Sequence, residues 1–192
     1  RVIHVGAMAL VETSVPDALK QKLTVWNTKM DYKVSLYKET ENPNLLYIPR
    51  GLVNVPAEPL DWKPLNVSHK INLRDTQKDM VEAFLEYIKE NPNGGILSAG
   101  TGVGKTVMGI WLACHFNLKT LVIVPRDRIF HQWIERIKAF TGLRAIDIGV
   151  VRGRSCDYKN RPFTVAMLHT IYKDRFDFLE REFGVVIYDE VH

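Results

Sequence analysis

Two short stretches carry residue types and spacings suited to chemistry on a polyphosphate. The first is Ala99-Gly100-Thr101-Gly102-Val103-Gly104-Lys105-Thr106. Gly100, Gly102 and Gly104 let a backbone turn tightly, so that successive N–H groups, those of Thr101 and Val103 included, point inward at phosphate oxygens. The positive end of a helix starting near Lys105 reinforces them. Lys105 supplies a mobile ammonium for β- and γ-phosphates, and the Thr106 hydroxyl suits one position on Mg²⁺. The second stretch is Asp189-Glu190-Val191-His192, directly after the apolar run Phe183 to Tyr188. At the carboxyl end of a strand, Asp189 is suited to hold Mg²⁺ through its water shell, and Glu190 to orient or deprotonate a water that attacks the γ-phosphate.

Such groups need a sheet and helices to hold them. Short apolar runs at Gly95 to Ser98, Leu121 to Val124, Ile146 to Val151, Phe163 to Leu168 and Val185 to Tyr188 alternate with helical segments at about 105 to 117, 127 to 140 and 169 to 182. Buried Val- and Ile-rich runs alternating with helices are the pattern of a parallel sheet covered on both faces. Residues 69–192 are therefore expected to form a doubly wound α/β unit. It is led by an amphipathic helix from about Asp75 to Lys89, with Met80, Val81, Phe84, Leu85 and Ile88 at helical spacing. Residues 1–68 read differently. Tyr32, Val34 and Leu36 alternate with polar neighbours, and Leu23 with Val25 and Leu45 to Ile48 suggest further strands. A small strand-rich α+β domain is expected there, closed by a linker over Pro56 to Pro64.

Composition narrows the class. The 192 residues are 46% hydrophobic and 25% charged, with 12 Gly and 9 Pro, which excludes collagen-like, low-complexity and mainly disordered chains. The apolar run Val5 to Val11 is far short of the roughly 18 to 20 residues a membrane span needs. Its small residues fall inside the run, not after it as a secretory leader requires. Cys114 and Cys156 belong to no ligand spacing, so neither a zinc site nor a disulfide framework is expected, and a reducing cytoplasmic setting is. A net charge of +4 permits an acidic partner without requiring one.

The phosphate loop followed by Asp189-Glu190-Val191-His192 resembles motifs I and II of superfamily 2 DExH-box helicases and translocases. The segment Leu121 to Trp133 is similar to motif Ia of that family, with Arg126 where Thr is usual. Phe163 to Ile171 is similar to the next conserved strand, with Met167 and His169 in place of Thr and Gln. Leu73-Arg74-Asp75-Thr76-Gln77 resembles the adenine-recognition motif of the XPB-type branch, with Thr76 in place of Tyr. The overall resemblance is to phage-encoded DNA helicases with a small strand-rich domain ahead of the motor. It implies an incomplete RecA-like first lobe, ATP and Mg²⁺ as cofactors, Arg74 and Gln77 as nucleotide contacts, Gln77 on the adenine edge, and His192 as a coupling residue. It also implies a second RecA-like lobe outside this sequence. The chain alone, ending at motif II, is then expected to bind nucleotide weakly and hydrolyse it poorly.

Arg126 and Arg128 stand at the start of a predicted helix, where cations oppose the helix dipole, so phosphate contact accounts for them better than local stability does. Arg152 and Thr170 complete the expected nucleic-acid contacts. Arg154, Lys159 and Arg161 share the loop of Arg152, and a solvated loop accounts for that cluster equally well. Contacts of this kind go to backbone phosphate and weaken steeply with salt. Trp111 and Trp133 lie on apolar helix faces and are expected in the core, whereas Trp26 and Trp62 are open. The expected activity is ATP-driven movement on or remodelling of single-stranded, duplex or branched DNA, with RNA as another track and no membrane partner. A duplex translocase of restriction or remodelling type and a non-hydrolysing nucleotide-dependent binding module are the alternatives.

Overall fold

The computed structural model describes residues 2–5, 8–27, 32–49, 52, 62–91, 94–174 and 182–190. The chain divides into two compact units, Arg1–Leu60 and Asp61–His192. The second begins earlier than the 68/69 division read from the sequence. Leu65 and Ile71 are buried in its core, and the Leu65 N–H bonds the Asn117 carbonyl at 3.0 Å. The proline-rich stretch lies outside the described residues up to position 61.

In the first unit β1 (Val2–Val5), β2 (Met8–Glu12), β5 (Lys38–Glu39) and β6 (Leu45–Pro49) form an antiparallel sheet ordered β1-β2-β6-β5. The hairpin of β3 (Thr24–Asn27) and β4 (Tyr32–Ser35) makes a separate ladder. A helix, α1 (Pro16–Lys22), precedes it. Pro16 at its start, Asp17 in its first turn and Lys20 and Lys22 in its last suit a short helix. It buries no residue completely, so no apolar stripe announces it in the sequence. The core of this unit is Leu23, Leu46 and Ile48, flanked by Val11, Leu19 and Tyr37.

The second unit contains α2 (Asp75–Glu90), α3 (Lys105–Phe116), β7 (Thr120–Val124), α4 (Asp127–Thr141), β8 (Gly149–Arg152), β9 (Ser155–Asp157), β10 (Phe163–Met167), α5 (Leu168–Asp174) and β11 (Val185–Tyr188). The sheet order is β11-β7-β10-β8-β9, parallel except for the β8–β9 hairpin. Alternate residues of β7 and β10 face opposite sides of the sheet. Val122, Val124, Phe163, Val165 and Met167 pack with Ile110, Phe130, Trp133 and Ile137 of α3 and α4 on one face. Leu121 and Ala166 pack with Val151, Tyr158, Phe183 and Ile171 on the other. Both faces are covered, which is why these strands read as unbroken apolar runs. The fold is the α/β, doubly wound, RecA-like arrangement expected. Trp111 is half-buried against this core and Trp133 fully buried in it, while Trp62 is half-buried.

Three expected elements differ. Gly95–Ser98 forms no strand, and Ile96 is 86% exposed, because no described strand lies in register with it. The strand expected from Ile146 begins at Gly149. Ala145–Asp147 is a 3₁₀ turn closed by Arg144, which bonds the Asp147 carboxylate through its backbone N–H and its guanidinium. The helix expected over 169–182 is described only as α5, and 175–181 lie outside the described residues.

Lys119 is buried to 3% exposure between the rings of Tyr158 and Phe183, with its ammonium 2.8 Å from the Glu182 carboxylate. Lys119 and Lys63 hold the Glu182 carboxyl below the usual carboxylate range. A lowered folded value means stability that is present above the ordinary glutamate value and lost as pH falls through the folded one. Glu182→Gln leaves the Lys119 ammonium buried with no countercharge among the described residues. It is expected to cost about 2 kcal/mol at neutral pH, discounted for the partial exposure of Glu182, and to flatten the acid limb of stability against pH. Chemical denaturation at neutral and acidic pH checks both.

Candidate functional site

The phosphate loop is shaped by its glycines and by the side chains of Arg74, just before α2, and Gln77, in its first turn. Gly102 and Gly104 adopt left-handed φ of 81° and 100°. A Cβ on Gly104 would also stand 2.5 Å from Gln77 Nε2, so both conformation and space require glycine there. The Val103 carbonyl accepts from Gln77 Nε2 at 2.7 Å and from Arg74 Nη2 at 2.6 Å. Gln77 Oε1 in turn accepts from the Arg74 backbone N–H at 3.0 Å, satisfying one orphan donor at the start of α2. Both ends of the Gln77 amide are thus engaged inside the protein, and the residue is 3% exposed. Gln77 ties the loop to the start of α2. Gly100, Thr101, Gly102 and Lys105 are exposed, while Val103, Gly104 and Thr106 are half-buried. Lys105 Nζ donates to the Ala99 carbonyl at 3.0 Å.

Asp189 sits at the carboxyl end of β11. Its N–H bonds the Ile123 carbonyl at 3.0 Å, extending the β11–β7 pairing by one residue. Its Oδ2 accepts from the Trp133 indole Nε1 at 2.7 Å and its Oδ1 from the Glu190 backbone N–H at 3.0 Å. Glu190 is exposed with a left-handed φ of 59°, uncommon for a residue other than glycine and characteristic of functional sites. Ile187, two residues before Asp189, packs on Gly109 of α3, one turn past Lys105. The loop and the carboxylates therefore lie at neighbouring element ends. The role of Trp133 on Asp189 is not legible beforehand, because an apolar helix face announces burial and says nothing about where an indole N–H points. His192 lies outside the described residues.

A carboxylate and a hydroxyl make a sparse donor set, and among the described residues no cluster of three or more His, Cys, Asp or Glu could cage a metal. The set fits Mg²⁺, which keeps several waters and takes phosphate oxygens in preference to an all-protein cage.

The expected nucleic-acid residues fare unequally. Arg126 and Arg128 are exposed where β7 passes into α4. Arg152 is half-exposed and tied down, with Nη2 2.8 Å from Asp127 Oδ2 and its guanidinium over the Phe130 ring. Thr170 is 3% exposed and its hydroxyl accepts the Gly153 N–H at 3.1 Å, bracing the β8–β9 turn. Arg154 and Lys159 are exposed, and Arg161 pairs with Asp157. Neither cysteine is in a disulfide, and burial pushes the Cys114 thiol up to about 11, which makes it unreactive.

A phosphate-loop sequence opening a helix, on a parallel sheet whose strand end carries an Asp-Glu pair, fits the class the comparisons define: a RecA-like lobe of the superfamily 2 helicases. The chain belongs to the family described as "Type III restriction enzyme, res subunit", which it matches over residues 70–192, and to the XPB-like branch of that superfamily. It is 29% identical to "Putative ATP-dependent RNA helicase L396" of Acanthamoeba polyphaga mimivirus over 95% of this chain and 38% of that protein. It is 36% identical to "Putative DNA 3'-5' helicase Rad25" of Halobacterium salinarum over 68% of this chain and 21% of the relative. It is 32% identical to "DNA 3'-5' translocase XPB2" of Sulfurisphaera tokodaii over 66% of this chain and 26% of the relative. The chain thus spans well under half the length of these relatives. Among the described residues no helix is long and apolar enough to cross a membrane.

Proposed function

We propose that the chain is the ATP-binding lobe of a motor that couples ATP hydrolysis to movement on DNA in the cytoplasm, working with a second RecA-like lobe. The observation that carries this reading is the Asp189 carboxylate, held by Trp133 at the end of β11 while β11 packs on the helix that begins with Lys105 and Thr106. The loop N–H groups from Gly100 to Gly104 and the Lys105 ammonium bind the β- and γ-phosphates. Arg74 and Gln77 act on the nucleotide through the loop, fixing the Val103 carbonyl so that the neighbouring N–H groups stay turned inward. Thr106 and Asp189 hold hydrated Mg²⁺, whose charge offsets that of the polyphosphate. Glu190 orients the attacking water and takes its proton. Arg126, Arg128 and Arg152 line the same edge of the sheet and meet the nucleic-acid backbone, so the contact does not depend on base sequence.

The first unit, Arg1–Leu60, serves as an accessory domain of this motor. Translocation on duplex DNA without strand separation is the second reading. It is favoured by the restriction-subunit family match and by the translocase name of the Sulfurisphaera relative.

Calorimetric titration of this chain with ADP tests the nucleotide reading. Binding is expected in the presence of Mg²⁺ and weaker after chelation. No binding at millimolar ADP in either condition would overturn it.

A further inference from the structure

Asp189 can serve a hydrated cation only while its carboxylate keeps one orientation. Trp133 is 1% exposed, deep in the interior of the lobe. A buried indole must place its N–H on some acceptor, and here the acceptor is Asp189 Oδ2 at 2.7 Å, a side chain 56 positions away. A backbone carbonyl would satisfy the indole equally well, so core packing alone does not explain that choice. The other end of the ring faces α3, with Cη2 2.9 Å from where a Cβ of Gly109 would stand. Ile187 Cδ1 lies 3.5 Å from the same point. One rigid plane therefore fills the space between α4, α3 and β11. It touches the helix that carries Lys105 and Thr106 at one end and the Asp189 carboxylate at the other.

We infer that Trp133 is a positioning residue for the metal site, setting the Asp189 carboxylate relative to α3 through its indole N–H, and that Gly109 is glycine to admit the ring. The bond to Oδ2 and the Glu190 N–H on Oδ1 together fix the rotation of the carboxylate. Each oxygen keeps a lone pair for the water shell of a cation. The inference deepens the proposed function and rests on it.

The test uses the four tryptophan indole N–H signals in two-dimensional ¹H–¹⁵N spectra of the chain, with calorimetry on the same samples. Trp133→Phe identifies the Trp133 signal by its loss. That signal is expected to shift on Asp189→Asn, to be little changed by ADP alone, and to shift when Mg²⁺ is added to the ADP-bound chain. Trp133→Phe keeps most of the ring volume and removes the donor. It is expected to leave Mg²⁺-free ADP affinity unchanged and to weaken Mg²⁺ binding to the ADP-bound chain roughly tenfold, the scale of one charge-assisted hydrogen bond.

Should the Phe variant fail to fold, Gly109→Ala displaces the ring from the other side and is expected to move the Trp133 signal and weaken Mg²⁺ in the same way. A wild-type chain that binds Mg²⁺ and ADP with a static Trp133 signal would overturn this inference alone. So would a folded Trp133→Phe variant with wild-type Mg²⁺ affinity. A wild-type chain that binds no ADP at all would overturn the nucleotide reading beneath it.

Discussion

Glu190→Gln in the complete protein is expected to lower the ATPase rate by roughly 10²–10⁴-fold, the contribution of a positioned general base, while ATP still binds with Mg²⁺. The amide keeps the size of the carboxylate and loses its basicity. Binding is expected to be spared because, in the proposed site, the loop and Lys105 hold the phosphates and Thr106 and Asp189 hold the metal. Folding is expected to be spared because Glu190 is exposed, glutamine keeps its size, and the bond from its backbone N–H to Asp189 Oδ1 survives the substitution. Steady-state ATPase and nucleotide titration on one preparation check the prediction. A variant that hydrolyses at the wild-type rate would place the base elsewhere, and one that no longer binds nucleotide would show Glu190 to be a binding residue.

Lys105→Ala is expected to weaken ADP binding roughly 10- to 100-fold, the cost of losing one hydrogen bond between charged groups, at about 1.5–3 kcal/mol. The melting temperature of the unliganded chain should be unchanged. Lys105 is exposed, and its recorded bond goes to the Ala99 carbonyl within the same loop, which water replaces at little cost. Calorimetry against ADP together with a thermal melt separates the two effects. Wild-type ADP affinity in the variant would remove the phosphate-loop assignment.

The parts of this molecule legible in its sequence are those written in local periodicity. The apolar stripe from Met80 to Ile88 predicts α2, and the Val- and Ile-rich runs predict β7, β10 and β11, because burial on one face or two leaves a repeating mark. Gly95–Ser98 misleads for the converse reason. An apolar run reports a wish for burial without naming a neighbour to pair with. α1 escapes notice because seven residues with few apolar positions carry almost no period.

Gly102 and Gly104 were legible because a positive φ admits few other residues, and at Gly104 close approach excludes them as well. The grip of Trp133 on Asp189 and the burial of Thr170 under the Gly153 turn were not. Both are contacts between chain positions far apart, fixed only once the sheet order is known. Gln77 lies between the two cases: its place beside the nucleotide loop was expected, but its amide is spent on the loop itself.

Whether this lobe drives a motor on nucleic acid is read from the ATPase rate of the complete protein at fixed salt, without polynucleotide and with single-stranded DNA, duplex DNA, branched DNA and RNA in turn. Strong stimulation by one or more of the DNA forms is expected, fading steeply as salt rises if the contacts are to phosphate. Equal rates with and without every polynucleotide would contradict the motor and leave a nucleotide-dependent binding module in its place.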